Sequence, residues 1–206
     1  MKYFNFILLG CLLVVSSAFA PADQPFYPEL AQTIKQLKKS MSSVSYDRQE
    51  DLTGVQQMVI LARHQKKAVV IELLGNDGFT APVAQATLKA ALISYGISDV
   101  EVKIVGSPAS ANVAPALSKM GFKVSSDQGL SVKMSDQATP LTFTAVSSNP
   151  QAVHVLLQND TENLLATPDK YAVKLKYPSG TGTDGQARNI AIEMTFIAMK
   201  IKDYAN

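Results

Sequence analysis

The sequence predicts an α/β fold in three layers, with a central, mostly parallel sheet of about four strands and helices on both faces. Short apolar runs rich in β-branched residues alternate along the chain with longer segments of helical periodicity. This alternation implies crossover connections, which pair strands in parallel. Apolar residues make up 47% of the chain and charged residues 17%, a balance that excludes an intrinsically disordered protein.

A pair of helices is predicted before the first strand. The first covers 30–41, and the second runs from Asp47 to about His64, because each segment places apolar residues on one face. Asp47 with Glu50 three residues later is typical of a helix-capping pair. The residues expected on the buried faces are Leu30, Ile34 and Leu37 in the first helix and Leu52, Val55, Met58, Val59 and Leu61 in the second.

The remaining elements are the strands and helices of the sheet domain. Strand-like runs lie at 68–74, 100–105, 152–157 and 173–177, and a β-hairpin around Pro140 is expected from 130–134 and 141–146. Helices are expected at 80–95, at 114–120, and over a last segment that begins at a capping pair of Thr183 and Gln186. We therefore divide the chain into a leader at 1–20, an N-terminal helical extension at 21–66 and an α/β domain at 67–206.

The first twenty residues have the layout of a secretory signal peptide. Lys2 precedes an apolar run at 6–15, and small residues follow, so cleavage is expected after Ala18 or Ala20. The run is too short to span a membrane, so the sequence predicts an exported protein, periplasmic or secreted, without a transmembrane span. Cys11 also fits a lipoprotein box, and a lipid anchor there is the less favoured alternative. Because Cys11 is the one cysteine, cleavage would leave the mature chain without a thiol.

Charge and histidine placement exclude several classes of function. The chain has 19 Lys and Arg against 17 Asp and Glu, which argues against a nucleic-acid partner. His64 lies at the end of a predicted helix and His154 in an apolar strand, and neither has a partner at metal-ligand spacing. We therefore expect no metal site built on histidine and no cofactor.

One junction between a strand and a helix invites a functional interpretation. In a parallel sheet, ligands bind beyond the carboxyl ends of the strands, where a helix amino terminus offers free N–H groups. Asp77 is expected to cap its own helix and Phe79 to be a buried aromatic, while a partner-contact role for Phe79 stays open. The junction consists of Leu74, Gly75, Asn76, Asp77, Gly78, Phe79, Thr80 and Ala81.

This stretch, continued in register by Pro82, Ala84 and Gln85, resembles the phosphate loop of the low-molecular-weight protein tyrosine phosphatases and the thioredoxin-type arsenate reductases. The resemblance covers about residues 26–204. Further matching positions are Tyr27-Pro28, Asp47-Arg48, Gly106-Ser107, Met120-Gly121-Phe122 and Glu162-Asn163.

The resemblance also implies which catalytic groups are missing. Leu74 stands where the family has its nucleophilic cysteine, Thr80 where it has the phosphate-binding arginine, and Ala81 where it has a serine. The relay cysteines fall at Leu157 and Leu164, and no carboxylate stands near Ser179, where the general acid is expected. Leucine has no lone pair with which to attack phosphorus, and threonine cannot replace a bidentate guanidinium.

We therefore expect an exported, catalytically inactive pseudophosphatase that acts as a binding or structural module for an unknown protein partner or a small anion. One alternative is a cation-dependent hydrolase that uses Asp77, Asp160 and Glu162. Another is small-anion binding by the loop N–H groups without turnover. A cleft rim is expected at Asp160, Glu162, Asn163 and Ser179.

Overall fold

The protein is described here by a computed structural model that covers residues 25–65, 69–127, 129–169, 171–179 and 182–204. The predicted signal peptide, both cleavage positions and Cys11 lie outside the described residues. In chain order the elements are α1 Pro28–Ser40, α2 Tyr46–His64, β1 Val69–Gly75, α3 Thr80–Ser94, β2 Val100–Gly106, α4 Val113–Lys119, β3 Lys123–Ser125, β4 Ser131–Lys133, β5 Leu141–Thr142, β6 Val153–Leu156, β7 Val173–Lys174 and α5 Asp184–Asp203, with 3₁₀ turns at Met41–Ser43 and Glu162–Leu164.

A four-stranded parallel sheet forms the centre of the molecule, in the order β2-β1-β6-β7. Ile71 of β1 is opposite Val102 of β2 on one side and Val153 of β6 on the other. All three side chains are buried, as expected for a sheet covered on its faces. The predicted α/β class, the parallel sheet flanked by helices and the small antiparallel unit are confirmed.

The small antiparallel sheet contains one strand more than the sequence predicted. The expected hairpin is present, with β4 and β5 pairing antiparallel at Val132 and Leu141. β3, which pairs with the other side of β4, was not predicted. It has three residues, Lys123, Val124 and Ser125, of which none is fully buried, so it lacks the apolar alternation that would reveal a strand.

The second helix begins differently from the prediction. Asp47 is not its N-cap: α2 begins at Tyr46, Ser45 occupies the cap position in an extended conformation, and no side-chain cap bond is formed. Asp47 lies instead in the first turn, where a carboxylate favours the positive end of the helix dipole. Leu61 is 44% exposed because it is displaced by two residues, about 200° of helical rotation, from buried Val59.

The last helix is the element on which the other helices converge. α5 packs against α1, α2 and α3, and its side chains Ile190, Met194 and Ile197 are almost completely buried. Its amino terminus is capped as predicted, since the Thr183 hydroxyl accepts the Gln186 N–H at 3.3 Å. The proposed division of the chain at 66–67 falls on residues outside the described set and stays a prediction.

A polar contact fastens α2 to α5. The Arg48 guanidinium donates two hydrogen bonds to the Glu193 carboxylate, at 3.0 and 2.7 Å, and a third to the Leu175 carbonyl at 2.5 Å. The Tyr177 hydroxyl donates to the same carboxylate. Burial and the nearby Glu193 charge raise the pKa of Tyr177 well above its ordinary value.

Over the described part of the chain, no helix combines the length and apolarity needed to cross a membrane.

Candidate functional site

The loop between β1 and α3 is organised around the Asp77 carboxylate. Its Oδ1 accepts the backbone N–H groups of Phe79 and Thr80, each at 2.9 Å, and its Oδ2 accepts the Thr80 hydroxyl at 2.7 Å. These are the bonds of a helix cap, in which a side-chain oxygen satisfies N–H groups that the first turn leaves unpaired. Asp77 lies two residues before Phe79, the N-cap position of α3, and its carboxylate holds the first N–H groups of the helix as a capping group does, the role that the sequence favoured.

The opposite side of the loop is closed by a buried side chain from the end of β6. Gln158 is 4% exposed, and its Oε1 accepts the Asn76 N–H at 2.8 Å. Its Nε2 is 3.5 Å from the Thr80 hydroxyl oxygen. Gln158 and Asp77 thus hold three N–H groups of the loop, those of Asn76, Phe79 and Thr80.

The loop backbone is also fastened to the segment that follows β2. Ser107 donates its N–H to the Gly75 carbonyl at 3.0 Å and its hydroxyl to the Asn76 carbonyl at 2.8 Å. Gly78 has φ +66°, and a Cβ at this position would lie 2.6 Å from the Pro108 carbonyl oxygen. A side chain is therefore excluded at Gly78 by backbone conformation and by close approach.

The positions that the resemblance equates with catalytic groups are filled by packed side chains. Leu74, Thr80 and Ala81 are at most 2% exposed, and Phe79, with 1% exposure, is a core residue and not a surface for a partner. A leucine side chain supplies no nucleophile, and the Thr80 hydroxyl is bonded to Asp77. The positions that correspond to the family's cysteine and arginine therefore carry neither a thiolate nor a guanidinium.

A solvent-open cleft of about 750 Å³ lies beside the loop, along the carboxyl ends of β6 and β7. It brings together three of the four residues expected on a cleft rim, Asp160, Glu162 and Asn163. Ser179 is exposed and is not among the described residues that line the cleft. The lining residues are Leu156, Gln158, Asn159, Asp160, Glu162, Asn163, Lys174 and Lys176.

The acidic residues of the cleft do not form the cation site that one alternative required. Glu162 is paired with Lys174 at 2.5 Å, and this hydrogen bond holds the pKa of the Glu162 carboxyl below its usual value. Asp77 is committed to the cap of α3. Among the described residues, no group of three His, Cys, Asp or Glu side chains is placed to hold a metal ion. The geometry therefore does not support a hydrolase built on Asp77, Asp160 and Glu162.

A second polar cluster, which the sequence analysis missed, lies inside the sheet. Glu72 of β1 and His154 of β6 are neighbours in the parallel register and are 1% and 2% exposed. His154 also bonds Asp169, with Nδ1 and Oδ2 2.6 Å apart. The sequence does contain a signal for this cluster. A glutamate inside the apolar run 68–74 and a histidine inside the apolar run 152–157 each require a buried hydrogen-bond partner. His64, by contrast, is exposed at the end of α2 and bonds the Tyr204 hydroxyl at 2.9 Å.

Comparisons with known proteins identify no family. No family description and no curated protein matches the chain. Among solved structures, the chain is similar to a mutant of YwlE from Bacillus subtilis, with a TM-score of 0.40 and 12% sequence identity. That similarity covers 68% of this chain and 99% of the other. At this level it supports no conclusion about activity.

Proposed function

We propose that this protein is an exported pseudoenzyme whose phosphatase-like loop has become part of the scaffold, and that it acts as a binding or structural module. The proposal combines the resemblance of the sequence with the way in which the loop is filled. It assigns no turnover to the loop and no cofactor to the protein.

The observation that carries the proposal is the position of the Asp77 carboxylate. A phosphate loop works by directing N–H groups and a helix dipole at an external anion. Here an anion belonging to the chain takes the Phe79 and Thr80 N–H groups, and Gln158 takes that of Asn76. An incoming phosphate would have to displace Asp77 or lie beside its negative charge. Retained phosphate binding is therefore disfavoured.

The binding role is assigned to the cleft beside the loop. Its walls mix the ammonium groups of Lys174 and Lys176 with carboxylates and with the amides of Asn159 and Asn163. Such a surface can donate and accept hydrogen bonds over the length of a polar ligand. It also lies at the carboxyl end of the sheet, where α/β proteins bind their ligands.

An activity assay on the purified chain tests the absence of catalysis. Hydrolysis of p-nitrophenyl phosphate and thioredoxin-coupled reduction of arsenate should both stay at the level of a blank. Lys119→Met serves as the matched variant because Lys119 forms an exposed ion pair with Asp184, away from the loop. Turnover that survives in Lys119→Met and disappears in Asp77→Asn would overturn the proposal.

A thermal-shift screen separates the scaffold interpretation from the two binding alternatives. An ion at ~100 times its dissociation constant adds about 2.7 kcal/mol to the free energy of unfolding, which is readily seen as a higher melting temperature. Phosphate, arsenate, sulfate, Mg²⁺, Ca²⁺ and Zn²⁺ are each expected to leave the melting temperature unchanged. A shift with an oxyanion would favour anion binding at the loop. If a divalent cation raises the melting temperature of the wild type but not that of Asp77→Asn, the result would favour the cation-dependent hydrolase.

Export is tested separately from the loop. The mass of the protein recovered from outside the cytoplasm should correspond to a chain that begins at residue 19 or 21, after cleavage at Ala18 or Ala20. A chain that keeps Met1 would remove export from the proposal. A lipid-modified Cys11 would instead select the lipoprotein alternative.

A further inference from the structure

The cleft beside the loop is framed by two residues in the left-handed backbone conformation. Asp160 has φ +64° and Lys176 has φ +51°, and both line the cleft. They are the two non-glycine residues with positive φ in the part of the chain that the structure describes. The left-handed conformation is unfavourable for a residue with a Cβ, and residues held in it cluster at ligand-binding sites.

Lys176 is the extra residue of a bulge that follows β7. The Leu175 N–H donates to the Leu156 carbonyl at 2.8 Å. The Tyr177 N–H donates at 2.6 Å to the carbonyl of the next residue, Leu157. The chain after β7 thus advances two residues where the chain after β6 advances one, which is the pattern of a β-bulge. A bulge redirects a side chain, and buried Leu175 and Tyr177 on either side hold Lys176 at the wall of the cleft.

Asp160 lies in a turn that buried groups hold in place. Thr161 is completely buried, and its hydroxyl donates to the Gln158 carbonyl at 2.9 Å across the turn. The Gln158 side chain, 4% exposed, accepts the Asn76 N–H and so joins the turn to the loop after β1. The two walls of the cleft are therefore fixed before a ligand arrives, which lowers the entropic cost of binding.

The four charges of the cleft cancel, but only two of them are paired. Glu162 bonds Lys174 at 2.5 Å. This hydrogen bond, with the charges of Lys174 and Lys176, holds the pKa of the Glu162 carboxyl below its usual value. Throughout the described ranges, neither the Asp160 carboxylate nor the Lys176 ammonium has a hydrogen-bond or ion-pair partner. The cleft therefore presents one carboxylate and one ammonium group that a ligand can pair with.

We propose that this cleft binds a short peptide with free ends, whose terminal carboxylate pairs with the Lys176 ammonium and whose terminal ammonium pairs with the Asp160 carboxylate. This inference deepens the binding role assigned to the cleft above and rests on it. A zwitterion complements both unpaired charges at once, whereas the cancelling charges of the walls give a simple ion no net attraction.

The remaining walls of the cleft suit a peptide backbone. Asn159 and Asn163 present amides, which donate and accept hydrogen bonds as peptide groups do. The volume of about 750 Å³ lies within the ~300–1,000 Å³ that ligand sites occupy. A small anion at the lysines would instead lie near Asp160 and Glu162, which repel it.

Calorimetric titration of the purified protein with three peptides tests the proposal. Trialanine should bind at one site per chain. N-acetyl-trialanine lacks the terminal ammonium and trialanine amide lacks the terminal carboxylate, so each should bind about tenfold more weakly or worse, as expected when a hydrogen bond to a charged group is lost. Trialanine that gives neither heat nor a higher melting temperature at millimolar concentration would overturn the proposal. Equal affinities for the three peptides would overturn it as well.

Two variants assign the ends of the peptide to the two residues. Lys176→Gln should weaken trialanine about tenfold but leave the affinity for trialanine amide unchanged, because that peptide has no carboxylate to lose. Asp160→Asn, which tolerates the left-handed conformation, should weaken trialanine and leave N-acetyl-trialanine unchanged. Lys35→Gln, which changes an exposed lysine of α1, is the matched control and should bind like wild type. Equal losses for all three peptides in Lys176→Gln would contradict the assignment.

These outcomes are distinguishable from those that test the proposed function. A failure of trialanine to bind overturns the peptide site and leaves the inactive loop as it is. Phosphatase turnover that disappears in Asp77→Asn overturns the pseudoenzyme, whatever the peptides do. Succinate that binds more tightly than trialanine would replace the peptide site by a simple anion site and overturn the inference.

Discussion

Asp77 and Glu72 are carboxylates that lie close together in the chain, but Asp77 bonds residues near it in sequence and Glu72 bonds a residue far from it. Asp77 lies in the loop after β1 and accepts N–H groups from residues two and three positions ahead. Glu72 lies inside β1 and accepts the N–H of Asn149, 77 positions away. The loop carboxylate organises its own turn, whereas the strand carboxylate holds together parts of the chain that meet only in the folded protein.

This difference predicts unequal energetic roles. Asp77 is partly buried and holds N–H groups of its own loop, and removing a contact of this kind at a helix start costs about 1–2 kcal/mol. Glu72 is almost completely buried, and its removal leaves the Asn149 N–H without its acceptor and the buried His154 ring without its neighbouring carboxylate.

Glu72→Ala should cause the largest loss of stability. The change leaves buried polar groups without partners, and each unsatisfied group costs about 1–3 kcal/mol. Glu72→Gln should cost less because an amide oxygen can still accept the Asn149 N–H. Urea unfolding of both variants measures the difference, and an alanine variant within about 1 kcal/mol of wild type would contradict the role given to Glu72.

Gly78→Ala should be the next most destabilising change. The left-handed conformation at φ +66° costs a non-glycine residue about 1–2 kcal/mol, and contact with the Pro108 carbonyl oxygen adds to this. Gly96→Ala is the matched control because Gly96 has φ +74° and nothing within 4 Å of an added Cβ. If the two variants have equal free energies of unfolding, the contact between the new Cβ at position 78 and the Pro108 carbonyl oxygen adds no destabilisation, and the prediction is wrong.

Asp77→Ala should lose about 1–2 kcal/mol, the usual value of a helix cap, and so less than Glu72→Ala. Asp77→Asn should lose less than Asp77→Ala, because an amide oxygen can still accept the Phe79 and Thr80 N–H groups. The alanine variant should also gain stability in phosphate, since an external anion can then take the two free N–H groups. Thermal unfolding with and without phosphate measures both effects, and a reversed order of Asp77 and Glu72 would break the comparison.

Glu162→Gln should have the smallest effect, below detection in the unfolding midpoint. Its ion pair with Lys174 is exposed and screened by salt. The hydrogen bond from Lys174 lowers the pKa of Glu162 in the folded protein. The small stabilisation that the ion pair provides is therefore present at pH values above the pKa of the unfolded chain, and it is lost as the pH falls through the pKa of the folded protein. Melting temperatures of wild type and variant should coincide at high salt, and a clear difference there would assign the pair a structural role.

The parts of the fold that the sequence predicted are those with local causes. Helical periodicity located α1 through Leu30, Ile34 and Leu37, and turn residues located the loop at Asp77. The capping residue of α5, Thr183, was also predicted because its partner is three positions ahead. Each of these signals lies within one or two helical turns of its partner.

The parts that could not be predicted depend on strand order and register. Whether Glu72 meets His154 follows from the pairing of β1 with β6, and the contact with Asp169 follows from a loop that no periodic pattern places. Gln158 was missed for the same reason, since its acceptor role at Asn76 joins the ends of two strands. The sequence therefore located the loop but did not reveal which side chains fill it.

The convergence of the helices on α5 has a consequence for folding kinetics. α5 follows the strands in the chain, yet α1, α2 and α3, which precede β2, bury part of their apolar surface against it. Because these partners are far apart in sequence, long loops must close before this part of the core is complete. The topology therefore favours slow folding, with apolar faces of α1, α2 and α3 exposed until α5 packs on them.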